Sequence, residues 1–353
     1  MRVLELPRGA SAREQGLAHG EEMRPLVAEI AEIRTSLCVE LGAFTDATEV
    51  LATARAHLPV LERWDAALHE ELLGIAEGAA VAPEAIVVLN DYTDLRDLRP
   101  ADLGTEDDCS AIYARTPEGA LLGQTWDMHG SALPYVMMLR VPEADGAPAA
   151  WAFTITGCLG MTGLNARGVG VTINNLKSTD AKVGVVWPAL VRRILRERTA
   201  AAARDVLTTA PLGSGHHYIV ADAHDAFGIE SSGRWKKIVY DGTEPSYVHT
   251  NHCLDPEVAE VTQVSPTSTT HDRYARLVAS LRDSPLTGRA DLWHRLGSHD
   301  GYPRSVCTHL ATPQSPHEML TCGALVMSLT TPDLWASPGC IHLARPHTLA
   351  LSS

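Results

Sequence analysis

Apolar side chains in the first hundred residues recur at helical spacing. Leu26, Ile30, Ile33 and Leu37 form one such row, and Leu51, Leu58, Leu61, Trp64 and Leu68 form another with gaps. The run from Glu70 to Ala79 continues the pattern, and Ile86-Val-Val-Leu-Asn90 follows Pro83, a residue suited to a first helical turn. These amphipathic helices need another layer to cover their apolar faces. Residues 97–108 break the texture: they are acidic, carry Pro and Gly, and have no apolar period, which predicts an exposed linker. Beyond it the chain turns strand-rich. Strands are predicted over 109–115, 120–126, 151–156, 168–173, 217–221 and 227–231, with two more over 306–310 and 324–329. Helices are predicted over 186–203, with Pro188 in the first turn, and over 271–282 and 291–296. Strands interleaved with helices, without a regular βαβ alternation, predict a layered α+β fold with a largely antiparallel sheet. No repeat of 20–50 residues is visible.

Composition narrows the function classes. The chain has 353 residues, 45% hydrophobic and 20% charged, enough for a sizeable core without staples. A formal charge of −14 with no basic run argues against nucleic acid. The segment Met1-Arg-Val-Leu-Glu-Leu-Pro-Arg8 has no apolar signal region, and no stretch approaches the length needed to span a bilayer, so no membrane partner is expected. The seven cysteines show no paired spacing, which suits free thiols in a reducing compartment. A soluble cytoplasmic protein is the expectation.

Candidate chemistry gathers at Cys109. Two predicted strands flank Thr116-Pro-Glu-Gly119, a turn sequence with Pro to fix φ and Gly to accept positive φ. Centring the hairpin on Glu118 sets Cys109 opposite Asp127. A carboxylate raises the pKa of a neighbouring thiol, but it suits an α-amino group. If the chain is cut before Cys109, the new amine, with a pKa of roughly 7.7–8.0, can act as general base for its own thiol. The cut itself would come from attack of the Cys109 thiol on the Asp108 carbonyl, with water resolving the thioester. The competing reading is that Cys109 is a small buried hydrophobe at a strand start.

The segment Asp108-Cys-Ser-Ala-Ile-Tyr-Ala114, with Gly119-Ala-Leu-Leu-Gly-Gln-Thr-Trp-Asp-Met-His129 behind it, resembles the processing site of the penicillin acyltransferase family. Gln15-Gly-Leu-Ala-His-Gly-Glu21 and Glu71-Leu-Leu-Gly-Ile-Ala-Glu-Gly-Ala79 resemble its N-terminal helices. Gly163-Leu-Asn-Ala-Arg-Gly-Val-Gly-Val171, Val248-His-Thr-Asn-His252 and Ser305-Val-Cys-Thr-His309 resemble its later landmarks. The order of the motifs along the chain gives the match its strength. It implies a four-layer αββα N-terminal-nucleophile hydrolase sandwich. It also implies a small chain, 1–108, that stays bound to a large chain, 109–353, in one catalytic domain. By the same resemblance Cys109 is the nucleophile, Asp127 contacts its amine, and Asn251 steadies the oxyanion. Asn175, or its neighbour Asn174, lies near that oxyanion hole. Arg273, or Arg276 three residues on, stands behind the nucleophile. The family's penicillin enzyme cuts after glycine, whereas this chain has Asp108.

The expected reaction is hydrolysis of a small N-acyl amide through a Cys109 thioester. The alternatives are acyl transfer to a small amine, with an acyl-coenzyme A donor left open, and a non-catalytic binding protein that does not process itself. Partners are then a small amide or acyl donor and the two chains of one precursor, and homo-oligomer formation is left open. No cofactor is required. Trp126, His129 and Tyr135 are candidates for the substrate pocket, with a core role as the alternative for Trp126. No metal site is expected: His216, His217, His224, His249 and His252 show no metal-binding spacing among sixteen histidines. The glycines of 157–163 suit a tight turn and lack the dinucleotide spacing.

Overall fold

A computed structural model describes residues 1–41, 44–99, 108–342 and 344–351. After a short strand β1 (Arg2–Glu5), six helices follow: α1 (Ala12–Glu22), α2 (Arg24–Leu41), α3 (Ala47–Arg55), α4 (Leu58–Trp64), α5 (Ala66–Ala79) and α6 (Pro83–Asp97). Local signals set their starts. Ser11 and Glu14 form a reciprocal capping box on α1, Asp65 caps α5, and Pro83 opens α6. The two Gly-x-x-x-Gly motifs of α1 and α5 let these helices touch backbone to backbone. A Cβ on Gly16 would stand 2.0 Å from the Glu71 carbonyl oxygen, and one on Gly74 would stand 2.3 Å from that of Arg13. Among the described residues, no single helix is long and apolar enough to cross a membrane.

The rest of the chain builds two sheets. It supplies β2 (Cys109–Thr116) and β3 (Gly119–His129), then β4 (Val136–Val141), β5 (Ala150–Ile155), β6 (Thr162–Asn165) and β7 (Gly170–Asn175). Helices α7 (Trp187–Ile194) and α8 (Ala200–Thr209) lead to β8 (His216–Ala221), β9 (Ala226–Ser231), β10 (Lys236–Tyr240) and β11 (Ser246–His249). Helices α9 (Pro256–Ala259), α10 (Thr270–Asp283) and α11 (Arg289–Leu296) precede β12 (Met319–Ser328), β13 (Asp333–Pro338) and β14 (His347–Ala350). The eight-stranded sheet runs β1-β4-β5-β6-β7-β8-β9-β10, and the six-stranded sheet runs β11-β2-β3-β12-β13-β14. Among the described residues, all strand pairings within the sheets are antiparallel except β1 with β4. The sheets pack face to face: a Cβ on Gly170 of β7 would meet Leu122, Met327 and Leu329 from the other sheet and its edge. α10 and α11 cover the outer face of the six-stranded sheet through Leu277, Leu281, Leu292 and Leu296. α7, α8 and the N-terminal helices cover the other sheet. The layers are therefore helix, sheet, sheet, helix, as expected.

Several local expectations are corrected. The helix predicted over 186–203 is two helices, because Thr199 caps a fresh start at α8. Residues 306–310 form no strand; only an isolated bridge joins His309 to Leu320. The predicted linker lies mostly outside the described residues. Strands β4, β10, β11, β13 and β14 lie in stretches with weak alternation, which periodicity alone does not pick out.

The helical and sheet-forming parts are tied by buried polar bonds. Arg192 forks onto Glu71 at 2.7 and 2.9 Å, and both are almost fully buried. Asn90 bonds the backbone of Gly157 and Leu159. Asp97 accepts from the Ser178 N–H and the Ser214 hydroxyl. The close helix pair gives a direct test. Gly74→Ala forces a methyl group into the Arg13 backbone and is expected to cost at least about 1–3 kcal/mol, read from urea unfolding.

Candidate active site

Strand alternation decides what Cys109 can touch. On β3, Leu122, Gln124, Trp126 and Met128 face the space between the sheets, while Leu121, Gly123, Thr125 and Asp127 face α10 and α11. The hairpin turn is the two-residue loop Pro117-Glu118, so Thr116 pairs with Gly119 and Cys109 pairs with Trp126. The register centred on Glu118 is thus off by one. Cys109 points inward beside Trp126, and Asp127 points outward, one residue past the pair. Its backbone N–H donates to the Asp108 carbonyl at 2.8 Å. The carboxylate still acts on the thiol. Burial pushes the Cys109 thiol up first, and the Asp127 charge adds to it.

Asp127 itself is fully buried, and neither carboxylate oxygen has a hydrogen-bond partner. Burial raises its pKa to about 7, against the pull of the Arg273 guanidinium and the nearby Thr321 hydroxyl.

Arg273 enters from the first turn of α10 and is fully buried. Its Nη1 donates to the Cys109 carbonyl at 2.7 Å and to Ser110 Oγ at 3.0 Å. Its Nη2 donates to Asn251 Oδ1 at 3.0 Å and lies 2.7 Å from Asp108 Oδ1. Its Nε donates to Thr269 Oγ1 at 2.9 Å, and Thr269 Oγ1 donates to Asp108 Oδ2 at 3.2 Å. The Asp108 carboxylate therefore sits on a guanidinium at the positive end of a 14-residue helix. Asp108 is bulkier than glycine, but its carboxylate pairs with Arg273 and accepts from Thr269. Arg276, the fallback, is exposed and lies against Gly301.

Asn251 follows β11 and holds the Cys109 backbone nitrogen: Cys109 N–H donates to its Oδ1 at 2.7 Å. Its Nδ2 donates to the Asn175 carbonyl at 3.0 Å. Asn174, not Asn175, brings a side chain to the nucleophile. Asn174 Nδ2 donates to the Cys109 carbonyl at 3.1 Å, while its Oδ1 meets His217 Nδ1 at 3.0 Å. That Oδ1 can only accept, so His217 carries its proton on Nδ1. Three other histidines singled out in the sequence have side-chain partners: His216 pairs with Asp94, His249 with Glu230, and His252 with Thr250 and Thr270, while His224 bonds through its backbone to Asp222 and Arg115.

A cavity of about 260 Å³ opens next to Asp108, lined by Tyr92, Arg96, His129, Thr269, Thr308 and His317 among others. His129 is the one pocket candidate that reaches it. Trp126 packs edge-on against Phe153 between the sheets, and Tyr135 is buried beside Glu29. Three contributors escape the sequence reading. Thr269 and Thr270 stand at a helix start, where a Ser/Thr run was a readable signal, and Thr270 Oγ1 accepts from the Asn251 N–H at 2.7 Å. Gln124 clamps the sheets together through the Ile173 N–H and carbonyl. No sequence signal separates it from an exposed strand glutamine.

A cysteine opens an interior strand of an αββα sandwich, and one buried arginine grips its carbonyl and the preceding residue, an arrangement that suits an N-terminal-nucleophile hydrolase or acyltransferase. A family model described as acyl-coenzyme A:6-aminopenicillanic acid acyl-transferase matches residues 114–329, which is more than half of the chain. The chain belongs to that family. The matched span includes Asp127, Asn174, Asn251 and Arg273 and begins just after Cys109. Over 300 residues, 83% of this chain and 81% of the relative, it is 28% identical to the acyl-coenzyme A:6-aminopenicillanic-acid-acyltransferase 40 kDa form of Emericella nidulans. Similar solved structures include a mutant of conjugated bile acid hydrolase from Clostridium perfringens, with TM-score 0.49 and 11% identity over 69% of this chain and 92% of that one. Another is penicillin V acylase from Agrobacterium tumefaciens, with TM-score 0.37 and 14% identity over 68% of this chain and 84% of that one.

The buried ion pair makes a prediction independent of turnover. In a Cys109→Ala background, Arg273→Met leaves the Asp108 carboxylate buried and unpaired and is expected to cost about 3–5 kcal/mol. Adding Asp108→Asn should restore much of that loss, read as a coupling energy in a denaturant double-mutant cycle.

Proposed function

We propose that the chain cuts itself between Asp108 and Cys109 and then works as an amide hydrolase acting on small N-acyl amides. The observation that carries this reading is the grip on the Asp108-Cys109 bond. Its carbonyl oxygen accepts from the Asp127 N–H at 2.8 Å, and its nitrogen donates to Asn251 Oδ1 at 2.7 Å. The thiol attacks the Asp108 carbonyl carbon, and the Asp127 N–H supports the developing oxyanion. The C–N bond breaks as the thiol proton reaches the leaving nitrogen. Water then splits the thioester, giving an Asp108 carboxylate and a free Cys109 amine. In the uncut chain that amine does not exist; Asp127, held near neutrality by burial and acting on the thiol through its charge, then takes the thiol proton through a water relay and not by direct contact. After the cut, the new amine can offer hydrogen bonds to the Asp127 carboxylate, whose oxygens have no hydrogen-bond partner in the uncut chain.

Catalysis repeats the same step on an outside acyl group. Burial holds the Cys109 thiol protonated, so the thiol must lose its proton as it attacks. The neutral α-amine takes that proton and returns it to the leaving amine. Asp108 is the first acyl group this thiol handles, so the donor on its carbonyl, the Asp127 N–H, becomes an oxyanion donor for later substrates. Asn251 holds the amine and can offer Nδ2 to the oxyanion once it lets go of the Asn175 carbonyl. The bonds from Glu71, Asn90, Asp94 and Asp97 to the later chain support retention of residues 1–108 after the cut. The cavity of about 260 Å³ beside Asp108 suits a small acyl or amine group. Transfer to an amine in place of water uses the same intermediate.

Two measurements test this reading. A panel of N-acyl amines and acyl thioesters, quenched and mapped by mass spectrometry, should yield an acyl adduct on Cys109 that hydroxylamine removes. Turnover that survives Cys109→Ala, or acylation elsewhere, would overturn it. The pH profile addresses Asp127. Its carboxylate is lost as pH falls below about 7, so self-cleavage should slow by up to about tenfold per unit below that point and level off above it. Asp127→Asn should remove that dependence along with most of the rate.

A further inference from the structure

Away from Cys109, residues 297–318 connect α11 to β12 with no helix or strand of their own. A connection of that length in a packed domain needs something to hold it. Four side chains converge there: His299, Cys307 and His309 from the loop, and Cys340 from the segment after β13. All four ligand-type atoms lie within 4.8 Å of one another. Cys307 Sγ is 3.6 Å from Cys340 Sγ and 3.6 Å from His309 Nε2. Cys340 Sγ is 3.4 Å from His299 Nε2, and the two imidazole nitrogens are 2.9 Å apart.

Those spacings can be compared with the edges of a tetrahedron around zinc. With Zn–S about 2.3 Å and Zn–N about 2.0–2.1 Å, the edges are about 3.8 Å for S···S, about 3.6 Å for S···N and about 3.3 Å for N···N. Three of the four observed distances fall within about 0.2 Å of these values, and the fourth shows the histidines drawn slightly closer. Sulfur and imidazole donors in equal number suit zinc, whose structural sites are tetrahedral and closed. Two thiols and two imidazoles meeting without a metal would give only weak sulfur hydrogen bonds and one imidazole pair.

We propose that His299, Cys307, His309 and Cys340 bind one zinc ion that fixes this loop structurally. None of the four belongs to the Cys109 machinery. The site closes the loop on both sides: Cys307 N–H donates to the Ser298 carbonyl at 3.0 Å, and the Gly339 N–H donates to the Cys322 carbonyl at 2.8 Å. His342 stacks on His299 with ring centres 4.4 Å apart and meets the Gly297 carbonyl at 3.0 Å. Cys307 is buried and the other three are half-buried, so the ion sits near the surface with a path for entry. The loop also shapes the cavity. Thr308, between two ligands, lines it together with Leu310, and exchanges backbone and hydroxyl bonds of 2.9 Å with Thr321. Thr321 pairs in register with Asp127. Four protein ligands leave no open position, so the ion holds the pocket wall and takes no part in the acyl chemistry.

Metal analysis of the full-length protein, grown with zinc and dialysed, tests the proposal. About one zinc per chain is expected. Cobalt added to the metal-stripped protein should give thiolate charge-transfer absorption and intense visible bands of a tetrahedral ion. Cys340→Ser and His299→Ala should each weaken zinc binding by more than about tenfold, while Cys253→Ser should retain it. If the Cys340 variant does not fold, the cobalt spectrum of the wild-type protein still decides. A chain that binds neither ion, or a non-reduced mass lower by two hydrogens with Cys307 linked to Cys340, would overturn it.

Discussion

The site depends on one buried guanidinium. Arg273 is fully enclosed, and a lone arginine in that position would be costly. Its donors are used by the Cys109 carbonyl, Ser110, Asn251, Thr269 and the Asp108 carboxylate. Each partner is fixed in turn by a strand or a helix end. The arginine therefore sets the position of the residues on both sides of the Asp108-Cys109 bond, and the nucleophile inherits its geometry from the outer helix layer. A cut there would create an amine near the Asp127 carboxylate, whose oxygens have no hydrogen-bond partner.

The sandwich makes that arrangement possible through strand alternation. Cys109 looks into the space between the sheets and Ser110 looks out to the arginine, so one strand end touches both layers. Gln124 fixes the sheet on which Asn174 stands. The acidic ladder on α6 and the Arg192 fork on Glu71 bind the helical part to the sheets independently of the peptide bond at 108. These anchors of the helical part to the sheets do not pass through that bond.

Much of this was legible in the sequence. The helical rows, the Pro83 start and the sheet-rich second part follow from periodicity, and the ordered motifs carried Cys109, Asp127, Asn251 and Arg273. The Gly-x-x-x-Gly motifs are explained by the backbone contact of α1 and α5. The hairpin register was less accessible. A one-residue shift turns every side chain over, and Thr-Pro-Glu-Gly does not say which pair closes the loop. Asn174 and Asn175 are separated by the same alternation. The sulfur and imidazole cluster was invisible for a different reason: its members come from positions 299, 307, 309 and 340, with no short paired spacing. Only folding brings Cys340 back to the loop.

Cutting at Asp108-Cys109 is the step proposed to turn this chain into an enzyme. Intact mass and N-terminal sequencing of the freshly purified protein test it most directly. Two fragments that remain together in native gels are expected, the larger beginning at Cys109, with a single uncut chain for Cys109→Ala. A wild-type chain that stays whole under conditions where it is active would contradict it.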